Sequence, residues 1–256
     1  AFFGLVLALL YPIVVKEKRI ASPKVVDRHG QKIKPAKSPL RSLYSSRSVV
    51  ATYIGSGLQL FVGGTVIVWM PSYLNRYYGM STDKAGITAA VIVLFSAVGT
   101  ILCGMLCDRL GKDRPDRKVI LAIIYCIGGC ILLSIAFALP AGTAQLLFIC
   151  LGMFIALGTN GPSSAMVANL THNSVHGTAF ATLTLANNFL GLALGPLVIG
   201  KLSDVIGLHD AFRIMPLVSI LAAIVFFYAK RHYHKDMQRA DQQAFEMNNA
   251  QDMEEK

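Results

Sequence analysis

The sequence predicts an all-α membrane protein with a bundle of six transmembrane helices. Of its 256 residues, 54% are hydrophobic and only 15% are charged, whereas soluble domains usually carry about a quarter charged residues. The charges are also segregated, because residues 49–75 and 119–169 contain no Asp, Glu, Lys or Arg. Uncharged apolar runs of about 18 residues or more are long enough to cross the hydrocarbon core of a bilayer. Several such runs in one chain indicate a polytopic helical protein.

The apolar spans together occupy residues 48–229. Because a helix rises about 1.5 Å per residue, runs of this length match the thickness of the hydrocarbon core, and only the last is short. The predicted spans are about 48–71, 85–107, 119–139, 143–168, 179–200 and 214–229.

Three further segments lie outside this bundle. Residues 1–15 are apolar but too short for a span, so we interpret them as the end of a transmembrane helix whose beginning is missing. Residues 16–47 hold ten lysines and arginines and three prolines, which predicts a basic loop rather than a continuous helix. Residues 230–256 form a polar tail, which we expect to be mostly disordered beyond its first one or two turns.

The basic residues predict how the bundle is oriented. The segments 16–47, 108–118, 169–178 and 230–256 would share one side, and they hold 20 of the 24 lysines and arginines. Because positive charge marks cytoplasmic loops, the central loop and the C-terminus are predicted to be cytoplasmic. The protein is expected to be a multi-pass integral membrane protein, of the inner membrane if it is bacterial. The net charge of +10 is explained in this way without a nucleic-acid partner.

Neither a metal site nor a cofactor is predicted. All five cysteines lie inside apolar spans, and no histidine or carboxylate shares their helix faces except Asp108, beyond the end of the predicted span. Zinc sites normally need four ligands, so we interpret these cysteines as small packing residues.

The most specific motif follows the second span and has the spacing G-x-x-x-D-R-x-G-K from Gly104 to Lys112. A bias toward positive charge in cytoplasmic loops explains its basic residues, but not an acid at the membrane edge or the two glycines. The pattern resembles the signature loop that follows the second helix of each six-helix half in the major facilitator superfamily. The resemblance covers nearly the whole chain. Its residues here are Gly104, Asp108, Arg109, Gly111, Lys112, Arg114 and Arg117.

This resemblance implies the second half of a 12-helix transporter fold. Residues 1–15 would be the end of family helix 6, 16–47 the central cytoplasmic loop and 48–229 family helices 7–12, with the N-terminal six-helix half missing. It also implies that Asp108 meets the start of a neighbouring helix near Gly177 and Thr178. An anion at a helix N-terminus gains about 0.3–1 kcal/mol. Such a contact would hold the cytoplasmic side closed and break as the two halves rock.

A narrower resemblance lies between Gly191 and Asp204. The pattern G-L-x-L-G-P-L-x-x-G-x-L-S-D in this segment is similar to the penultimate helix of Spinster-like facilitators, which carry lipids and organic anions.

Polar residues inside three spans are candidates for the solute path. Polar groups are costly in lipid, so they usually face the bundle interior or a water-filled cavity. The resemblance implies that family helices 7, 10 and 11 line the cavity, and it makes Asn187 and Asn188 the strongest candidates. The alternative is that these groups only hydrogen-bond between helices. The candidates are Tyr53, Ser56, Gln59, Asn160, Ser164, Thr184, Asn187 and Asn188.

We therefore predict a secondary active transporter, not an enzyme, that moves a small organic solute by alternating access. The solute would be anionic or amphipathic and lipid-like, and a sugar-acid or carboxylate symporter is the alternative. No charged residue or histidine occupies the middle of a span, so a coupling proton or sodium would be bound by the missing half. A channel, or a hydrolase with Ser163 or Ser164 as nucleophile and His172 or His176 as base, is a remote alternative.

Overall fold

The computed structural model describes residues 44, 46–112, 114–171 and 175–254 of the chain. The predicted partial helix at 1–15, most of the basic loop at 16–47 and His172 lie outside these residues. Within the described part every regular element is helical. The all-α class is therefore confirmed.

Among the described residues, six helices are long and apolar enough to cross a membrane, which confirms the six spans predicted between residues 48 and 229. Each runs beyond its apolar stretch into polar residues at one or both ends. The helices are α1 (Arg47–Tyr78), α2 (Thr82–Gly111), α3 (Asp116–Ala138), α4 (Thr143–Leu170), α5 (His176–Ile206) and α6, which begins as Leu208–Ile214, passes through a 3-10 turn at Met215–Leu217 and continues as Val218–Glu254.

Short connections make consecutive helices antiparallel and give the bundle two ends. The first, here called the Ser46 end, holds the start of α1 and the connections 112–115 and 171–175. The second, the Gly207 end, holds the connections 79–81 and 139–142 and Gly207 itself. Glycine is required in two of these turns, because Gly79 and Gly207 have φ angles of 62° and 85°.

The predicted disorder of the C-terminal tail is wrong, because α6 continues as a helix to Glu254. Residues 230–254 contain no glycine or proline and are rich in Ala, Gln, Glu, Lys and Arg, which favour helix. The first turns of the tail also pack on the bundle. Tyr233 is buried, and the carboxylate of Asp236 accepts hydrogen bonds from the Ser46 hydroxyl at 3.0 Å and the Ser48 N–H at 2.9 Å. This carboxylate caps the start of α1.

Two helices change their winding inside the bundle. In α4 a 3-10 segment at Leu157–Thr159 precedes Gly161 and Pro162. In α5 residues Asn187–Ala193 form a π-helix. Such segments are rare and frequently occur at functional sites. Both changes lie on the helices whose polar residues are solute-path candidates.

Glycines allow α5 to pack closely against α1. A Cβ atom on Gly195 would lie 2.7 Å from the carbonyl oxygen of Phe61, and one on Gly57 would lie 2.9 Å from the Cβ of Leu190. The two backbones therefore meet where larger residues would separate them, as is common between transmembrane helices. This contact presses the π-segment of α5 against α1.

Candidate solute-binding site

Several buried polar atoms of the bundle have no hydrogen-bond partner. A buried donor or acceptor without a partner costs about 1–3 kcal/mol, and folded proteins keep only a few of them. Five of the six such atoms in the described residues lie on α1, α4 and α5. We call these five the mid-bundle patch. The atoms are Tyr53 Oη, Ser56 Oγ and Gln59 Oε1 on α1, Ser163 Oγ on α4 and Asn187 Oδ1 on α5, and the sixth is Ser219 Oγ on α6.

The α1 residues of the patch follow one face of the helix. Tyr53, Ser56 and Gln59 are spaced by three residues, which places them on adjacent turns. They are 4%, 1% and 0% exposed. Gln59 Nε2 donates to the carbonyl of Ala156 at 3.3 Å. A carbonyl can only accept, so this bond orients the amide and leaves Oε1 as the unpaired atom.

The other two patch residues lie at similar levels along the bundle. The carbonyl of Ala186 lies 3.1 Å from where a Cβ on Gly57 would be, so Asn187 is close to the level of Gly57. Ser163 is two turns beyond Ala156, the partner of Gln59, toward the Ser46 end. Seven helical residues rise about 10 Å, which brings Ser163 to about the level of Tyr53. The five unpaired atoms thus occupy one layer about two turns thick.

The winding change in α4 contributes directly to this layer. The carbonyl of Ala156, just before the 3-10 segment, accepts from Gln59 and from the hydroxyl of Thr159 at 3.0 Å. A main-chain group freed by the break is thus satisfied by side chains, as membrane-embedded breaks require.

The remaining predicted candidates do not join the patch. Thr184 and Asn188 are exposed and bond their own helix, with Thr184 Oγ1 donating to Phe180 O and Asn188 Nδ2 to Thr184 O, both at 2.9 Å. Asn160 and Ser164 are half-buried. The predicted polar stripe on α5 therefore divides. Asn187 has a buried side-chain oxygen, whereas Asn188 lies on the outer surface of this bundle.

Ser163 and Ser219 were not among the predicted solute-path residues. Ser163 was named as a possible hydrolase nucleophile, and of the two adjacent serines Ser164 was preferred for the solute path. Ser219 precedes Phe226 by two turns on one face of α6, and the Phe226 ring lies against Gly55 of α1. A lone hydroxyl in an apolar run gives little sequence signal, because it can bond the preceding turn of its own helix.

The signature loop is compact, but its acid Asp108 makes no hydrogen bond or ion pair with another described residue. A Cβ on Gly111 would lie 2.6 Å from the Cγ and Cε atoms of Lys118, so the glycine lets the Lys118 stem cross the end of α2. Gly104 also serves packing, since its Cα would be 2.9 Å from a Cβ on Gly161 of α4. Asp108 is exposed, as are the basic members Arg109, Lys112, Arg114 and Arg117.

The contact predicted between Asp108 and α5 is not formed in this structure. Between the described residues, no hydrogen bond or ion pair joins Asp108 to Gly177 or Thr178, which are both exposed. The predicted contact was expected to break when the transporter changes state, so the gating role of the loop stays a prediction.

The position of His176 does not support its role as the base of the hydrolase alternative. Nε2 of His176 lies 3.0 Å from the carbonyl oxygens of both Ala168 and Thr171, so this nitrogen donates to the end of α4 instead of serving a serine. In the parts of the chain that the structure describes, no three His, Cys, Asp or Glu residues are grouped as metal ligands would be.

A comparison with known protein families matches residues 1–191 to the Major Facilitator Superfamily. The chain belongs to the major facilitator superfamily. This confirms the resemblance seen in the signature loop. It also rejects the hydrolase alternative, because the curated relatives are named as transporters and members of the superfamily are not enzymes.

Individual relatives support this membership. The chain is 29% identical over 188 residues to the uncharacterized transporter YycB of Bacillus subtilis, covering 72% of this chain and 43% of the relative. It is 23% identical over 190 residues to the probable galactarate/D-glucarate transporter GudP of Escherichia coli, covering 73% and 42%. The chain thus spans about two fifths of the length of these superfamily members.

A solved structure shares the fold. It is a bacterial homologue of the human lysosomal transporter Spinster in an inward-facing, unoccupied conformation, with a TM-score of 0.67 and 18% identity. The match covers 91% of this chain and 58% of that one. At this identity the likeness concerns the superfamily fold and not the solute.

Proposed function

We propose that this chain is the C-terminal half of a secondary active transporter that carries a small hydroxylated organic anion by alternating access. The mid-bundle patch carries this proposal, because its five buried atoms lack partners in the bundle. These atoms have no accessible surface in this structure, so the proposal includes a second state of the transport cycle in which the helices move apart and a solute held between two transporter halves supplies the partners.

The chemistry of the patch favours a solute with O–H or N–H groups. The free atoms of Gln59 and Asn187 are amide oxygens, which only accept hydrogen bonds. The hydroxyls of Tyr53, Ser56 and Ser163 can donate or accept. Each patch side chain is neutral, so the patch would bind the hydroxyl-bearing part of a solute. A negative charge on the solute, and any coupling proton or sodium, would be bound by the N-terminal half.

The names of several relatives agree with this solute class. GudP is named for galactarate and D-glucarate, and relatives of Pseudomonas putida and Escherichia coli are named for gallate and L-galactonate. Each of these solutes combines carboxylate with several hydroxyl groups. We therefore favour a sugar acid or a similar hydroxylated carboxylate, carried by symport.

An amphipathic, lipid-like solute is the second candidate. Beside Asn188, α5 exposes the apolar side chains of Leu185, Phe189 and Leu192, which are 68%, 63% and 43% exposed. Such a surface could hold an acyl chain while the patch holds a polar headgroup.

The proposed function is tested with the purified full-length protein in liposomes. Uptake of labelled D-glucarate, L-galactonate, gallate, glycerol 3-phosphate and a lysophospholipid is measured, with galactose as the uncharged hydroxylated control. We expect saturable uptake of at least one hydroxylated anion, and its loss in Gln59→Leu. Uptake of the lysophospholipid alone would favour the second candidate. Uptake that does not depend on Gln59 for any of these solutes would refute the proposal.

Asp108 tests the alternating-access part of the proposal. Asp108→Asn removes the charge that would bind the start of α5 in one of the two states, so we expect slower transport with normal membrane insertion. The matched control is Asp204→Asn, since Asp204 is also exposed but lies at the Gly207 end. An unchanged transport rate in Asp108→Asn would remove the gating role.

A further inference from the structure

A chain of hydrogen bonds connects three helices at the Gly207 end. It begins at Gln145 of α4, whose Nε2 donates to the carbonyl of Leu139 at 3.0 Å and to the Tyr73 hydroxyl at 3.0 Å. Tyr78 Oη lies 2.6 Å from Gln145 Oε1, and Tyr73 Oη lies 3.2 Å from His209 Nδ1. We call these four side chains the Gly207-end network. It joins α1, α4 and the start of α6.

The donor and the acceptor of each hydrogen bond in the network can be assigned from one of its ends, the carbonyl of Leu139. The carbonyl of Leu139 can only accept, so the nitrogen of the Gln145 amide must face it. The amide oxygen then faces Tyr78, whose hydroxyl must donate. The second N–H of Gln145 points to Tyr73, whose oxygen must accept, and the Tyr73 hydrogen is left for His209 Nδ1. His209 is therefore an acceptor at Nδ1, which requires the neutral imidazole with its proton on Nε2.

Protonation of His209 is incompatible with this arrangement. A proton on Nδ1 would face the hydrogen of the Tyr73 hydroxyl, and both groups would then be donors. Tyr73 is 0% exposed, so its hydroxyl has no access to water as a replacement acceptor. Breaking the bond would leave a buried donor unpaired, which is unfavourable. Protonation of His209 thus destabilises the network, because the Tyr73 hydrogen loses its acceptor.

The charges around His209 do not favour its protonated form strongly. On its own helix, Asp210 lies beside it but pairs with Arg213 at 3.8 Å. From α1, Tyr77 stacks on the ring with centroids 4.2 Å apart, while Arg76 is exposed. Of the other helices, α3 packs Phe137 on the Tyr73 ring, α4 contributes the neutral Gln145 to the network, and α5 carries the exposed Asp204 near its end.

The segment held by the network is the last part of α1. Pro71 lies inside α1 and removes one N–H from the helix ladder, so the residues after it are held less firmly by the helix itself. Tyr73 and Tyr78 follow within two turns and make the three hydrogen bonds by which the network joins α1 to α4 and α6. The Tyr73 ring also packs against Phe137 and Phe212, with centroids 5.7 and 5.1 Å apart.

We propose that His209 is a proton-binding site that releases the end of α1 when the pH on the Gly207 side falls. The neutral imidazole holds the segment 72–78 at high pH, and the imidazolium form frees it once the pH falls below the pKa of His209, which burial of the ring lowers from its ordinary value. This inference does not depend on the proposed solute.

Hydrogen–deuterium exchange tests the proposal on the full-length protein in lipid nanodiscs, without any solute. Protection of the amides of residues 72–80 is measured at about pH 8 and about pH 5 and corrected for the chemical exchange rate. Loss of one buried bond should lower protection roughly 5- to 10-fold at the lower pH. In His209→Asn the amide oxygen can accept from Tyr73 but cannot be protonated, so protection should be the same at both pH values.

The control is His232→Asn, because His232 is on the same helix but bonds only the carbonyl of Tyr228 one turn earlier. This variant should keep the pH response of the natural protein. Tyr73→Phe, a second test, should show low protection at both pH values. The proposal is overturned if the natural protein shows no pH-dependent change in residues 72–80, or if His209→Asn retains that change.

Discussion

Gln59 and Gln145 have the same side chain and are both fully buried, but they lie in regions that treat a buried amide differently. In the Gly207-end network, Gln145 uses both N–H groups and its oxygen. In the mid-bundle patch, Gln59 makes a single bond at 3.3 Å and its oxygen has no partner. The comparison distinguishes buried polar groups that hold helices together from buried polar groups that lack a partner within the bundle. The polar atoms of Gln145 are all paired within the bundle, whereas the buried oxygen of Gln59 is paired with none of the described residues.

Two buried tyrosines show the same difference between the Gly207-end network and the mid-bundle patch. Tyr73 and Tyr53 are 0% and 4% exposed, yet the first hydroxyl bonds Gln145 and His209 while the second is unpaired. A group that weakens the folded bundle persists most readily where function needs it. The patch is therefore the better candidate for the solute, although both regions are polar and buried.

The largest expected effect separates the two glutamines. Gln145→Leu should lower the free energy of unfolding by about 1–3 kcal/mol, because the Leu139 carbonyl and the buried Tyr73 hydroxyl each lose the hydrogen bond that Gln145 donates. Gln59→Leu should leave stability unchanged or raise it, because an unpaired buried oxygen is removed. The measurement is the thermal midpoint of each purified variant in detergent, together with uptake of the transported anion.

Uptake is expected to follow the opposite order. Gln59→Leu should transport poorly although it is stable, and Gln145→Leu should retain transport in the fraction that stays folded. If Gln59→Leu were the less stable of the two variants, the distinction between the regions would fail.

The two tyrosines give a smaller version of this test. Tyr73→Phe should cost about 0.5–1 kcal/mol, since one hydroxyl is lost from the network. Tyr53→Phe should be neutral for stability and should weaken solute binding roughly 3- to 10-fold, the equivalent of one hydrogen bond. Thermal midpoints and the half-saturating solute concentration measure the two effects. Equal losses of stability would mean that the Tyr53 hydroxyl has a partner after all.

The smallest expected effect concerns two adjacent asparagines of the π-segment. Asn187→Ala should raise the half-saturating solute concentration roughly 3- to 10-fold. Asn188→Ala removes only a bond to the Thr184 carbonyl of the same helix, so it should have little effect on binding a small anion. Should Asn188→Ala be the more damaging variant, the solute would lie on the outer side of α5, as the lipid-like alternative requires.

Much of the fold was predictable from the sequence, because hydrocarbon imposes strong rules on a chain. A segment without charge from residue 119 to 169 must be helical in a bilayer, where backbone groups have no other partners. The signature loop at Gly104 to Lys112 identified the superfamily for a similar reason, since charge balance alone does not explain its pattern. The wrong prediction concerned the tail after Lys230, where tertiary contacts such as the Asp236 cap act outside the membrane.

The site was predictable only in part. The face spacing of Tyr53, Ser56 and Gln59 could be seen in the sequence, and all three prove to be buried and partly or wholly unpaired. Which polar atom finds a partner depends on distances between helices, which no single-helix pattern contains. For this reason Ser163 was passed over for Ser164. The π-segment also escaped prediction, because its residues are compatible with an ordinary α-helix.

The most direct measurement is a structure of the full-length protein with its transported anion bound, determined by cryo-electron microscopy. We expect oxygen atoms of the solute within about 3.5 Å of Gln59 Oε1 and Asn187 Oδ1, with the Gly207-end network intact around Gln145. A bound solute that leaves both oxygens untouched, with each of them paired to protein groups instead, would contradict the account.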